Sequence, residues 1–498
     1  MLDARPAATA SLRSLAWGAL ALLAGASAAL LPVEVAGGLL VAAALGLALL
    51  IEPVLALVVM VCVAPLKVLI ETEAPIALPG DPGQWTFALA VGVWAVWRAS
   101  RARTRPLPRS RVAAALAIVL LGFAPSLFAA TSTGAWLSEA AKWAVMIVVA
   151  LLVVDLGARG RWTWLAFGVV LAAALQAVIG LYQFFGGSGA PHLWIANYTR
   201  FRAFGTFGQP NPFSAFMGLT LPLTLGMGYG YLRQAWAAWR AGDRPAALRS
   251  ALIVAAYAIC ALLIAAGLIA AWGRGAWLGA AAALGVMAVF APRRRVIGLG
   301  LLAAAGALGV ALWMAGLVPA SIEARITNTL NEFVGFGDVR GVFVTNENFS
   351  TVERMAHWQA ALDMASAHPV TGVGLGNYEV VYSEYALARW PHALGHAHND
   401  YLNILAETGI IGLVLALTGW ALIVGWTARA LSLRPPILHG LALGLLGTWT
   451  HLAVHSLFDK LTVNNLFLHI GVMLGLLALA DARRRAAEDS ENVVFQSY

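Results

Sequence analysis

Charge is what this chain has least of. Only 11% of its 498 residues are Asp, Glu, Lys or Arg, while 60% are apolar. A soluble domain carries about 25% charged residues, so a soluble globular protein is excluded. Runs of about 17–25 apolar residues recur along the whole length, enough to cross roughly 30 Å of hydrocarbon. The short alternating segments of a membrane β-barrel are absent. The expected fold is all-α, a polytopic integral membrane protein with twelve to fourteen transmembrane helices and one large, partly helical outer loop.

Other absences narrow the function. The two cysteines, Cys62 and Cys260, lie inside apolar runs, so they read as packing residues and imply no disulfide framework. No internal repeat or low-complexity segment is present, which argues against a transporter built from duplicated halves. The pI near 9.8 does not signal nucleic acid, because the basic residues flank spans in short alternate loops.

Candidate spans fall at 15–31, 35–51, 54–70, 85–97, 112–130, 140–156, 163–184, 212–232, 251–271, 276–291, 296–316, 409–427, 437–457 and 464–480. The first, with its Ala26-Ser27-Ala28 triplet, resembles a signal peptide but reads as an uncleaved helix, since a second span follows. Segments 1–14, 52–53, 98–111, 157–162, 233–250, 292–295, 428–436 and 481–498 hold 22 of the 32 lysines and arginines. By the positive-inside bias these face the cytoplasm, with both termini. The chain then divides into N-terminal spans (1–316), an outer loop domain (317–408), C-terminal spans (409–482) and a polar tail (483–498). The last residues, ENVVFQSY, resemble a protease-site remnant and enter no functional argument.

Polar residues collect on the outer side at three places. In RFRAFGTFGQPNPF (200–213), Arg200 and Arg202 sit among glycines and aromatics before Asn211, where a helix opens. A Gly-rich turn at a helix N-terminus beside an arginine makes an anion site; the alternative is an arginine snorkelling to the interface. In AAWGRGAWLG (271–280), Arg274 is the one charge between two apolar runs. An arginine near membrane depth faces a cavity or a partner, unless its hairpin lets it reach headgroups. In the long loop, Ser350-Thr351-Val352-Glu353 matches a capping box and opens a helix ending before Pro369.

The third place is PHALGHAHNDYLN (391–403), which holds three of the chain's ten histidines. On an extended segment His396 and His398 face the same way, and Asn399 or Asp400 caps the following helix. A structural role, a metal site and a general base compete here. No cysteine or HExxH pattern accompanies the pair, so no metal is expected, and imidazole suits a base near neutral pH. His398 adjoins the cap and is the better placed of the two, although the residues themselves leave the choice open. His451, His455 and Asp459 share one helix face, either lining the same space or joining helices.

Two arginines and a histidine, with no conspicuous acidic pair, point away from glycoside hydrolysis. Guanidiniums suit a diphosphate, whose departure needs charge stabilisation rather than an acid. The chemistry that fits is glycosyl transfer from a lipid-diphosphate-linked sugar to an alcohol. An anion transporter is the reading from another class.

The segments RAFGTFGQPNPF (202–213), GRGAW (273–277), ERMAHWQAALDMASAHPVTGVGLGNY (353–378) and HNDYLNILAETGIIG (398–412) resemble the O-antigen ligase and polymerase superfamily. The resemblance covers roughly 200–412 and implies a GT-C-like enzyme of twelve spans in the bacterial inner membrane, its site periplasmic. It implies an undecaprenyl-diphosphate-linked O-antigen donor, a lipid A–core acceptor, and metal-independent inverting transfer without cofactor. Polymerases and protein O-oligosaccharyltransferases share that donor. The family's histidine corresponds to His398 and its arginines to Arg202 and Arg274; Arg200, His396, Asn211 and Asn399 are expected to touch substrate. Two departures stand out: Gly273 replaces the usual serine, and an extra His396 leaves open which histidine is the base.

Overall fold

The computed structural model describes residues 18–19, 45–73, 80–100, 106–188, 190, 193–195, 199–292, 294–318, 323, 337–345 and 348–496. The span at 15–31 and most of that at 35–51 lie outside the described residues. Each of the other twelve spans falls on a helix. These are α1 (Val54–Glu73), α2 (Pro82–Ala99), α3 (Arg111–Ala129), α4 (Thr133–Leu156), α5 (Trp162–Phe184), α6 (Pro210–Arg240), α7 (Arg244–Ala270), α8 (Arg274–Phe290) and α9 (Arg295–Met314). After α10 (Phe349–Ala367) and α11 (Tyr378–Tyr385) come α12 (Asp400–Ala430), α13 (Pro436–His455) and α14 (Leu466–Gln496). Among the described residues, nine helices are long and apolar enough to cross a membrane. The chain is a polytopic all-α membrane protein; a two-residue hairpin, β1 (Trp194–Ile195) with β2 (Arg200–Phe201), precedes α6.

Local signals set many helix starts. Asp81, Ser110, Ser132, Asp243 and Asn399 each accept a hydrogen bond from a backbone amide of the first turn, satisfying donors that would otherwise be orphaned. In α1, Pro65 lies in a 3₁₀ turn, Ala64–Leu66, as expected where the ring removes a helical donor.

The centre of the bundle is a close crossing of α6 and α13. A side chain at Gly226 would bring its Cβ within 2.5 Å of the Gly440 carbonyl oxygen, and one at Gly440 within 2.3 Å of that of Gly226. Small residues at such spacing let two backbones touch where lipid supplies no hydrophobic drive. The crossing sets the start of α6 beside the end of α13.

The span expected to begin at Gly409 begins instead at Asp400, and Gly409 interrupts it with φ 64° and ψ −168°. Only glycine adopts that conformation readily. The break exposes backbone groups, and the turn TGVGLGN takes them up. Val373 N–H donates to the Ala406 carbonyl and Gly374 N–H to that of Glu407, while Ile410 N–H donates to Pro369 (each 2.9 Å). The outer loop is thereby fastened to α12 with its polar backbone paired, as an apolar surrounding demands.

The segments 98–111, 157–162, 233–250, 292–295, 428–436 and 481–498 join or end helices at one end of the bundle. At the other end lie the starts of α4, α6, α8 and α12, the end of α13, and α10 with α11.

Candidate active site

Three distant stretches of chain meet at that second end. Arg202 and Asn211 from the turn into α6, Arg274 at the start of α8 and His398 before α12 line one cavity of about 210 Å³. Glu353 and Arg354 from the first turns of α10 and Asp459 from the loop after α13 complete its polar wall.

Neutral acceptors help to orient both arginines. Arg202 donates through Nε to the Ala271 carbonyl (3.0 Å) and through Nη2 to Asn211 Oδ1 (3.3 Å). Arg274 donates through Nη2 to Ser350 Oγ (3.2 Å) and Thr351 Oγ1 (3.3 Å). Those hydroxyls do not form the capping box expected of them. The helix starts earlier, behind Asn348, so they fall inside its first turn and turn towards the guanidinium. Gly273 caps α8 without a side chain, leaving first-turn amides towards the cavity, an anion-binding end. A Cβ at 273 would lie 2.7 Å from Ser214 Oγ, a local reason for glycine at this position.

The two histidines lie on a turn, not on an extended segment. His398 has φ 52°, and the two rings meet edge to face with centroids 4.4 Å apart. Both still reach Asp459, His398 through Nδ1 at 3.3 Å and His396 through Nε2 at 3.6 Å. An ionised carboxylate only accepts, so His398 carries its proton on Nδ1 and keeps the Nε2 lone pair. The His398 amide donates to His396 Nδ1 (3.1 Å), so His396 carries its proton on Nε2.

Electrostatics agree with those tautomers. Burial pushes the Asp459 carboxyl up, but the hydrogen bond from His398, with His396 and Arg354 close by, holds it well below the usual carboxylate range. Burial draws His396 down to about 3, against the pull of Asp459, so it stays neutral. Burial raises Glu353, with His398 and Arg354 opposing. Behind Asp459, Lys460 is 8% exposed and its Nζ lies 3.0 Å from Glu139 Oε1, while Lys142 takes the other oxygen at 2.7 Å. This ion pair ties the loop to α4.

Some expected contacts fall elsewhere. Arg200 does not line the cavity; it is exposed on β2, 5.4 Å from the Phe185 ring. Asn399 is buried and spends its side-chain oxygen on the Leu402 amide (3.0 Å), and His396 sits behind His398 rather than on the wall. The missing acidic pair is also corrected, since Glu353 and Asp459 both face the cavity. On the ladder of three, His455 and Asp459 line it, whereas His451 packs between α6 and α8, where Cβ atoms at Gly218 and Gly279 would reach it at 2.0 and 2.8 Å. The donor atoms of His396, His398 and Asp459 lie within 4.8 Å of one another, a spacing a cation can use; His398 Nδ1 hydrogen-bonds to Asp459, and His396 Nε2 lies 3.6 Å from it.

Residues 259–417 match the protein family described as O-Antigen ligase, a segment that includes Arg274, Glu353, Arg354 and His398. The chain is also 26% identical over 161 residues to the exopolysaccharide production protein ExoQ of Rhizobium meliloti (strain 1021). That alignment covers 28% of this chain and 37% of the relative, so the chain spans little more than a third of the protein it matches.

Proposed function

We propose that this chain, whose residues 259–417 match the O-antigen ligase family, is an O-antigen ligase. It transfers O-antigen glycan from undecaprenyl diphosphate to a hydroxyl of lipid A–core at the periplasmic face, with inversion and without metal. The observation that carries this reading is the convergence of Arg202, Arg274, the start of α8 and His398 on one cavity.

The acceptor hydroxyl gives its proton to His398 Nε2 as its oxygen bonds to the anomeric carbon. The carbon–oxygen bond to the diphosphate breaks on the opposite face, and that electron pair stays on the departing phosphate. Arg202, Arg274 and the first amides of α8 stabilise the growing charge. Asp459 holds the imidazole in the required tautomer and balances the imidazolium that forms.

A second reading draws on the exopolysaccharide relative. The same donor and steps serve a polymerase whose acceptor is another lipid-linked glycan. Defined lipid-linked donor incubated in EDTA with lipid A–core, or with a second donor unit, separates the two. We expect glycan on lipid A–core. Product only on the lipid-linked acceptor makes the chain a polymerase, and loss of all transfer in EDTA restored by a divalent cation refutes the metal-free step.

A further inference from the structure

We propose that His396 is a positioning residue whose ring nitrogen closes a turn that holds His398 in its working conformation. The proposal rests on the reading of His398 as the base. A non-glycine residue in the left-handed region is strained, and that strain persists only where surroundings over-determine it. Around His398 they do. Its N–H donates to His396 Nδ1 (3.1 Å), its carbonyl accepts from Trp358 Nε1 (3.3 Å), and its ring meets Asp459. One residue earlier, Ala397 N–H donates to Asn403 Oδ1 (3.1 Å).

The bond from His398 N–H to the side chain two residues back has the connectivity of an Asx-turn, which aspartate and asparagine normally form. Histidine Nδ1 and asparagine Oδ1 stand the same number of bonds from Cα, so the ring mimics the amide. With Nδ1 accepting and Nε2 facing Asp459, neither nitrogen of His396 is left for an acceptor hydroxyl. The extra histidine of this chain thus has a place in the site that differs from a second base.

The substitutions separate by where they put an acceptor. His396→Asn restores the oxygen at the Nδ1 position and keeps transfer within about threefold of the parent. His396→Gln places it one bond too far and, like His396→Ala, lowers kcat about tenfold, the equivalent of one hydrogen bond, with KM for the donor unchanged. Thermal melts of the purified variants establish that each is folded. If Asn is as slow as Ala in folded protein, or if Ala matches the parent while His398→Ala is inactive, the turn is not what positions the base. If His398→Ala keeps the parental rate, the reading of the base fails, and with it the reason for the clamp.

A separate observation lies at the opposite end of the bundle. There a cavity of about 660 Å³ is lined by Arg295 at the start of α9, Arg429 near the end of α12, Arg484 and Glu488 of α14, and His439 of α13. Arg484 is 9% exposed and is held by Asp481 (3.2 Å) and Glu488 (2.6 Å), so it is a built part of the wall. Arginines from three helices, with Phe290 and Leu431 beside them, meet where α9 starts and α12 ends. We infer a site for the phosphodiester headgroup of an anionic phospholipid, bound by charge-assisted hydrogen bonds. Native mass spectra of delipidated protein titrated with phosphatidylglycerol, phosphatidylcholine or inorganic phosphate test it. We expect retention of phosphatidylglycerol over phosphatidylcholine, lost in the folded double variant Arg295→Gln/Arg429→Gln. Equal retention of the two lipids, an unaffected variant, or displacement by inorganic phosphate overturns it.

Discussion

The two ends of the bundle use arginine differently. At the far end Arg98 pairs with Asp155, Arg161 with Glu52, and Arg484 with Asp481 and Glu488. At the cavity end Arg202 is fixed by a carbonyl and an amide oxygen, and Arg274 by two hydroxyls. A carboxylate from another segment ties two parts of the bundle together, whereas the carbonyl, amide and hydroxyl oxygens orient each guanidinium on the cavity it lines. Arg98 and Arg161 join separate stretches of the bundle, while Arg202 and Arg274 line a cavity.

Breaking that contrast ranks the residues. His398→Ala removes the proposed proton acceptor and should lower transfer by about 10²–10⁴-fold with membrane insertion unchanged, read from single-turnover rates and membrane fractions. Lys460→Met strips Glu139 of one of its two lysines inside the fold, and losing one partner of a buried pair costs about 3–5 kcal/mol. The measurement is a melting curve, in which a parental transition would show that the ion pair does not anchor the Asp459 loop. Arg274→Ala should slow transfer about 10²–10³-fold. Arg274→Lys should rescue little, because an ammonium lacks the planar fork.

Acidification sharpens the comparison by a smaller amount. Burial draws His396 down to about 3 and His357, beneath His398, down to about 4. Between those values and the ordinary 6.5 the unfolded chain takes up protons that the folded one refuses. Stability is therefore whole above about pH 7 and falls as pH drops towards 4. At pH 5.5 the loss is about 1 kcal/mol for each histidine, seen as a lower melting temperature and reduced in His396→Asn. The smallest effect on transfer belongs to the far end. Arg98→Ala takes the cation from the largely buried Asp155 and should cost about 1.5–3 kcal/mol of stability while leaving the transfer rate untouched; a rate loss comparable to that of Arg274→Ala would erase the distinction between the ends.

Much of this was legible in the residues. Twelve of the expected spans fall on helices, nine of them long and apolar enough to cross a membrane among the described residues, because a crossing helix needs a long apolar run and nothing distant alters that need. The gathering of the basic loops at one end followed from the same local bookkeeping, and of the two expected caps, Asn399 and Asp400, it is Asn399 that caps α12. Asp459 was visible only as a rung on a ladder, since its pairing with His398 spans 61 positions. Glu353 gave no sign of facing the cavity. Ser350 and Thr351 looked like caps because their bonds to Arg274 join residues 76 and 77 positions apart. Gly409 looked like a span's beginning because hydropathy rises there, while the helix itself starts nine residues earlier.

Hydropathy, glycine spacing and charge bias determined that this chain crosses a membrane many times and gathers Arg202, Arg274 and His398 at one end. These are properties of short windows, in which the solvent, lipid or water, makes the choice. The tertiary structure alone decided which carboxylate orients which imidazole, and so which nitrogen keeps its lone pair. A hydrogen bond depends on a few tenths of an ångström between groups far apart along the backbone. No local pattern encodes that distance; the close crossing of α6 with α13 and the docking of the Gly-rich turn on α12 set it.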